Sequence, residues 1–270
     1  MNFDFANPMI ICPHCGQGNL PSTPKEEDVA AVSCPLCSAC YPLRNGVLCL
    51  IPTWEQRRNL VQYLMESEAV VRIYEGPWWR QNPLFTALTR LSFAQEYQLI
   101  VAAAELEPHH VLLDLACGAG IYARPLAHQL SRGGVVGLDL SLPMLTYGSH
   151  LARQEGLHNL VWLQGTATAL PFANSCFDRV NCCGALHLLP ELPQVLAEIK
   201  RVLQPQGIFT MAVFRHGNSP FSLWFRDLRH RLVGVQSFTA ASLAQLLYQA
   251  GFTTVKCHYE QGIWLMMSAS

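Results

Sequence analysis

The sequence predicts an α/β fold: a mostly parallel, seven-stranded sheet with one antiparallel strand, preceded by a small cysteine-rich module. Three observations predict it. From residue 109 onward, short continuous apolar runs alternate with helical segments, the pattern of buried parallel strands joined by crossovers. The alternation closes on two strand-like segments separated by little more than Glu260-Gln261-Gly262, which is too short for a crossover and makes a hairpin. Residues 1–52 hold six of the eleven cysteines, many prolines and little helical periodicity.

Three zones follow: 1–52, a metal-binding module; 53–108, a helical linker or cap; and 109–270, the sheet domain. In the linker, Trp54 to Ile73 places Leu60, Val61, Leu64 and Met65 at helical spacing, and Leu84 to Leu106 repeats the pattern. Between them stands the aromatic break Tyr74-Glu75-Gly76-Pro77-Trp78-Trp79-Arg80. The sheet strands are expected at Val111 to Leu115, Val135 to Asp139, Leu160 to Leu163, Phe177 to Cys183 and Ile208 to Val213, then Phe252 to Tyr259 and Ile263 to Met267 in the hairpin. The clearest helix is Leu192 to Leu203, which stops before Pro205-Gln206-Gly207. Residues 214–236 interrupt the alternation as an insertion or lid.

Composition narrows the function. Of 270 residues, 50% are hydrophobic and 14% charged, against about 25% charged in an average chain. The net charge is −1, from 18 basic and 19 acidic residues, and only Lys25, Lys200 and Lys256 are lysines. That balance argues against a nucleic-acid partner, which needs a broad positive field. No run of 18 apolar residues is present, so no membrane span is expected. The N-terminus lacks the features of a targeting peptide. The odd number of cysteines and their C-x-x-C pairs indicate a reducing, cytoplasmic setting and a metal rather than disulfides.

Cys12-Pro13-His14-Cys15 and Cys34-Pro35-Leu36-Cys37 stand 18 residues apart, within the spacing of a structural zinc site. Each C-x-x-C turn points two thiolates at one ion, and two turns complete a tetrahedron. Four thiolates leave no open position, so the ion would be structural. A module of about 50 residues cannot hold itself by core burial alone, and the ion would supply folding energy. Cys40 and His14 are close enough in sequence to compete as ligands; the four regularly spaced cysteines are preferred. Cys34 to Cys37, with Tyr41-Pro42-Leu43-Arg44-Asn45-Gly46-Val47 and Leu50-Ile51-Pro52, resembles both the zinc-ribbon activators of tRNA and protein methyltransferases and the zinc ribbon of bacterial rRNA guanine methyltransferases. The resemblance implies a structural or docking module.

Asp114-Leu115-Ala116-Cys117-Gly118-Ala119-Gly120 follows the first strand of the sheet and opens a helix. Gly118 and Gly120 permit a sharp turn and a close backbone approach to a ligand. Asp139 ends the second strand 25 residues after Asp114, where a carboxylate can accept both hydroxyls of a ribose. Position alone fits a dinucleotide or adenosylmethionine. The G-x-G-x-x-G of a dinucleotide fold is missing, because Ile121, Tyr122 and Ala123 follow Gly120.

Val111 to Gly120, Val136 to Ser141 with Met144-Leu145, Leu170-Pro171-Phe172 leading to Phe177-Asp178-Arg179-Val180, Ala185-Leu186-His187 and Glu198 to Pro205 together resemble the Rossmann-like class I S-adenosylmethionine-dependent methyltransferases. The likeness lies with the branch containing ubiquinone and menaquinone methyltransferases, and for the whole chain with methyltransferases of cyanobacteria and plastids that share a segment like Tyr74 to Arg80. It implies that Asp114, Ala116, Gly118 and Gly120 pass beneath the methionine part and that Asp139 holds the ribose. Leu140 and Met144 would flank the adenine. Two positions depart from the family pattern. Ala116 replaces its first glycine, and Gly165-Thr166-Ala167 replaces Gly-Asp-Ala, so that Thr166 would receive the adenine amino group without charge assistance.

The methyl donor is already electrophilic, so the protein need only align a nucleophile and exclude water. His187 follows the fourth strand at the carboxyl edge of the sheet and reads either as a base or substrate orienter, or as a packed histidine. Arg80, with Tyr74, Trp78 and Trp79, reads as a lid carrying a cation for the cofactor carboxylate, or as aromatic packing. Cys182 and Cys183 read as core. Arg215, His216, Arg226, Arg229, His230 and Arg231 make the insertion locally basic, either as a solvated face or as a contact for an anion. The sequence thus points to an enzyme methylating a small, rather apolar molecule at oxygen or carbon. The alternatives are methylation of rRNA or tRNA bases, and a non-catalytic module that docks a partner.

Overall fold

The computed structural model describes residues 10–21, 30–51, 82–189, 191–216 and 235–270. The predicted helix from Trp54 to Ile73, the segment Tyr74 to Arg80 and residues 217–234 of the insertion lie outside them.

The N-terminal module contributes β1 (Ile10–Ile11), β2 (Asn19–Leu20), β3 (Ala31–Ser33), β4 (Cys40–Arg44) and β5 (Val47–Cys49). Helices α1 (Pro83–Thr89) and α2 (Phe93–Ala103) follow. The alternating region then gives β6 (Val111–Leu115), α3 (Ala123–Gln129), β7 (Gly134–Asp139), α4 (Leu142–Gln154), β8 (Leu160–Gln164), β9 (Phe177–Cys183), α5 (Leu192–Val202), β10 (Leu203–Phe214), α6 (Ala240–Gln249), β11 (Val255–Gln261) and β12 (Trp264–Ala269).

The seven expected strands lie in the order β11-β12-β10-β9-β6-β7-β8, with β12 antiparallel to both neighbours and the remaining inner pairs parallel. The sheet does not stop there. β5 pairs in parallel with β8 and continues through β4 and β3, so ten strands form one sheet. The cysteine-rich module is therefore continuous with the sheet, where the sequence suggested an appendage beside seven strands. The physical reason is the edge: β8 (Leu-Val-Trp-Leu-Gln) is too apolar to end a sheet in water, and β5 satisfies its main chain. Successive residues of β5 join opposite cores. Val47 belongs to the core that holds Leu112, Val135 and Trp162, while Leu48 belongs to the one that holds Leu113, Val136 and Leu163.

One further difference concerns the stretch from Leu84 to Leu106, whose periodicity suggested a single helix. It is two helices, broken at Arg90, whose φ is 55°. Ser92 starts the second with a capping box to Gln95. Periodicity alone does not register such a break because both helices keep an apolar face. β10 also begins earlier than its apolar run, at Leu203, and a register shift between Leu203 and Ile208 absorbs Pro205.

Candidate cofactor site and thiol centre

β6 and β7 end side by side, and the loops leaving them are tied together. Gly118 N–H donates to Asp139 Oδ2 and Ser141 N–H donates to Asp139 Oδ1, both at 2.8 Å. Cys117 N–H reaches the Leu138 carbonyl at 3.2 Å. Three residues of the loop have left-handed backbone: Ala116 (φ 55°), Gly118 (57°) and Gly120 (83°). Gly120 is dictated twice, because a Cβ there would stand 2.4 Å from Cη2 of the buried Trp162 ring on β8. The same ring leaves 2.7 Å to a Cβ on Gly148 of α4. Trp162 thus supports the loop from below, a role its position in an apolar run did not reveal.

Asp114 is buried beneath this loop. Asn181 on β9 donates to its Oδ1 at 2.6 Å, and Oδ2 has no hydrogen-bond partner among the described residues. Burial pushes the Asp114 carboxyl up to about 7 against the pull of Asn181, and the neighbouring Asp139 adds to the rise. Burial also raises Asp139, opposed by the amides of Ser141, Gly118 and Leu140. Asn181 was missed in the sequence because it sits in the middle of a strand and belongs to no motif.

The other expected cofactor residues gather around the same edge. Leu140 is half-buried after β7, and its carbonyl accepts from Gln164 Nε2 at 3.1 Å. Met144 is buried against Ala119. Thr166 and Ala167 are half-buried in the loop leaving β8, and Thr166 Oγ1 lies 2.9 Å from Thr168 Oγ1 while accepting from Thr168 N–H at 3.3 Å. Arg80 lies outside the described residues.

His187 is buried after β9, its ring 4.3 Å from Phe214 and 6.5 Å from Trp264. Phe85 of α1 meets Trp264 edge-on at 5.9 Å. Beside them Glu96, also buried, accepts from the Tyr122 hydroxyl at 2.7 Å and from Trp264 Nε1 at 3.2 Å. Sequence reasoning passed over Glu96; its one signal is an acid on the apolar face of α2. Cys182 is fully buried and burial drives its thiol far up, as suits a core residue. Arg215 pairs with Glu260 at 3.1 Å and donates to the Gly262 carbonyl, so its charge is engaged; Arg226, Arg229, His230 and Arg231 lie outside the described residues.

Away from this edge, the sulfur atoms of Cys12, Cys15, Cys34 and Cys37 all lie within 4.8 Å of one another. Cys40 and His14 are exposed outside the group. The two turns are alike: Gly16 N–H donates to Cys12 O and Ser38 N–H to Cys34 O, and both Gly16 (φ 70°) and Ser38 (61°) are left-handed. A Cβ on Gly18 would come within 2.2 Å of Cys34 Sγ, so this glycine is needed for the thiols to converge. Burial pushes the Cys12 thiol up, but the Tyr41 hydroxyl at 3.0 Å and the amides of Cys15 and His14 outweigh it and bring it down to about 6.

A methyltransferase-domain family model matches residues 113–211, from β6 into β10. The 2-phytyl-1,4-naphthoquinone methyltransferase of Thermosynechococcus vestitus is 34% identical over 207 residues, covering 67% of this chain and 90% of that one. A chloroplastic methyltransferase of Arabidopsis thaliana is 26% identical over 243 residues, covering 83% of this chain and 67% of its own length. Among solved structures, an adenosylmethionine-dependent methyltransferase from Aquifex aeolicus superposes with a TM-score of 0.57 at 18% identity, over 75% of this chain and 97% of its own. The family match and the 34% identity to the Thermosynechococcus enzyme, on this sheet order, make the protein an adenosylmethionine-dependent methyltransferase. The chain belongs to the class I methyltransferase family. No helix among the described residues is long and apolar enough to cross a membrane.

Proposed function

We propose that this enzyme methylates a small, rather apolar, aromatic molecule at oxygen or carbon. The carrying observation is the set of rings at the carboxyl edge of the sheet, where half-buried Phe85 and Phe214 pack on the buried rings of His187 and Trp264. A planar, weakly polar acceptor would stack on the half-buried faces of Phe85 and Phe214. The naphthoquinone named for the Thermosynechococcus relative belongs to that class. The near-neutral charge and the engagement of Arg215 by Glu260 support a small acceptor over RNA.

The residues present fit the cofactor. Oδ2 of Asp114, with no hydrogen-bond partner among the described residues, offers a buried acceptor for an ammonium, and the left-handed backbone at Ala116, Gly118 and Gly120 would face the methionine part. Asp139 would take the ribose hydroxyls, Leu140 and Met144 the adenine faces, and Thr166 with Ala167 the adenine edge. Bound adenosylmethionine supplies an electrophilic methyl group. The chain's part is then to hold the acceptor in line and keep water out. His187 at this edge serves as orienter, or as base for an acceptor whose proton must leave. The four thiols fit a structural zinc ion, with soft ligands, closed coordination and two matched turns. Residues 1–52 would then act as a zinc ribbon, 53–108 as a cap over the acceptor, and 109–270 as the cofactor-binding domain.

The test is calorimetric titration of the zinc-loaded protein with adenosylmethionine and adenosylhomocysteine, followed by transfer of labelled methyl groups to phenols, hydroquinones and RNA. One-to-one binding with label entering an aromatic small molecule is the expected result. Label entering RNA alone would replace the proposal with a nucleic-acid methyltransferase, and absence of binding would leave a non-catalytic docking module.

A further inference from the structure

The loop that carries Thr166 and Ala167 is gripped at both ends by the N-terminal module. At its start, β5 pairs with β8 through Val47↔Trp162, Leu48↔Leu163 and Cys49↔Gln164, and Leu50 N–H donates to Gln164 O at 3.0 Å. At its end, Ile11 N–H donates to Pro171 O at 2.9 Å and Ile10 bridges Phe172. Six residues, 165–170, span the gap between these two grips. Ile10, Leu20, Leu50, Leu163, Leu170 and Phe172 share one buried core. α5 holds the same loop from another side, since Glu198 accepts from Leu170 N–H at 2.7 Å and Gln194 Nε2 donates to Thr168 O at 2.8 Å.

The grip is joined directly to the thiols. Ile11 precedes Cys12, whose N–H donates to Gly18 O at 2.7 Å and whose sulfur touches Tyr41 on β4, next to β5. β5 is also held by β8, but β1 pairs with β2 over only two residues, so closing the thiol centre would add the folding energy that fixes the module's grip. We infer that the N-terminal module is a built-in clamp on the cofactor loop, and that metal occupancy of Cys12, Cys15, Cys34 and Cys37 sets the affinity for adenosylmethionine. The inference rests on the cofactor reading above. Because α5 also supports the loop, losing the metal weakens binding without abolishing it.

The experiment compares the full-length zinc-loaded protein with the same protein after chelation, and with a zinc-loaded Leu50→Pro variant, which lacks the donor to Gln164 but keeps all four thiols. Adenosylhomocysteine affinity and amide exchange across the chain are measured for each. Chelation is expected to weaken affinity by about 5- to 150-fold, the usual span of coupling between two sites. Exchange should speed up in residues 165–172 while β6 and β9 stay protected. The Leu50→Pro protein should retain zinc and show the same two changes to a smaller degree. Unchanged affinity and exchange after chelation would overturn the clamp, as would protection lost throughout the sheet, which would make the module a general stabiliser. Faster exchange in 165–172 in a protein that binds no adenosylhomocysteine even when loaded would uphold the clamp and sink the cofactor reading instead.

Discussion

Asn181 Nδ2 lies 2.6 Å from Asp114 Oδ1 across the adjacent strands β9 and β6, fixing one carboxylate oxygen and leaving the other buried without a partner among the described residues. A carboxyl whose pKa is raised from 3.8 to about 7 holds its proton more tightly in the folded than in the unfolded chain. Its contribution to stability is therefore fully present below about pH 4 and is lost as pH rises through 7. Asp114→Asn removes the buried charge, so the variant should gain on the wild type as pH goes from 5 to 8, by roughly 1–3 kcal/mol. Thermal unfolding of both proteins across that range checks it. Adenosylmethionine binding should move oppositely, weakening in the wild type as pH falls below 7 and staying weak and pH-independent in the variant. Parallel stability curves would show that Asp114 does not titrate there.

Ala116 sits at φ 55°, a conformation glycine adopts freely and alanine does not. The family glycine at this position is thus explained by backbone geometry, and Ala116 carries strain that its small size had concealed. Ala116→Gly should stabilise the fold by about 0.5–1 kcal/mol, the relief of a left-handed residue less the added freedom of the unfolded chain. Denaturant titration measures this, and cofactor affinity should not fall.

The succession of β6 to β12 along the chain was legible because the buried strands are apolar runs and most crossovers carry a helical period; the β8–β9 connection has no helix. The glycine loop and both acids were legible because a strand-end motif places them at one edge. The thiol centre was legible from spacing alone. What escaped has a common cause, in that it depends on contacts between segments distant in sequence. Val47 to Cys49 looked like part of a small module until it paired with β8, and Trp162 looked like core until it met Gly120 and Gly148. Glu96 joins Tyr122 and Trp264 from three separate elements, and no local pattern announces such a meeting.

Gly120→Ala tests the contact with Trp162. The added methyl would overlap the far edge of an indole that is itself packed, in a backbone with φ 83°. Loss of about 1–3 kcal/mol of stability is expected, with cofactor affinity falling as the loop is displaced. Combining it with Trp162→Leu should restore part of the cofactor affinity, since the space vacated by the ring accepts the methyl. A double variant no better than the single one would assign the whole cost to backbone strain.

Asp139 accepts two amide hydrogen bonds, from Gly118 and Ser141, that join the ends of β6 and β7. Asp139→Ala should abolish detectable cofactor binding and lower stability, because both donors lose their acceptor. Asp139→Asn separates the two effects: its amide oxygen replaces one acceptor, so stability recovers more than affinity does. Calorimetry and thermal unfolding on the pair check this, and an unaffected affinity in the alanine variant would remove Asp139 from the ribose role.

Thr166 accepts from Thr168 N–H, an arrangement an aspartate can reproduce with one carboxylate oxygen while presenting the other to the pocket. If Thr166 meets the adenine amino group, the neutral hydroxyl makes the weaker bond, and a carboxylate makes one roughly twice as strong. Thr166→Asp should then tighten adenosylhomocysteine binding by about 3- to 10-fold. The gain should grow as pH rises from 4 to 6 and ionises the new carboxyl, whereas Thr166→Val should weaken binding. Titrations of all three proteins at pH 4.5 and 7.5, values set by the ordinary carboxylate range of about 4, decide it. Equal affinities at the higher pH would place the adenine edge elsewhere along residues 165–170.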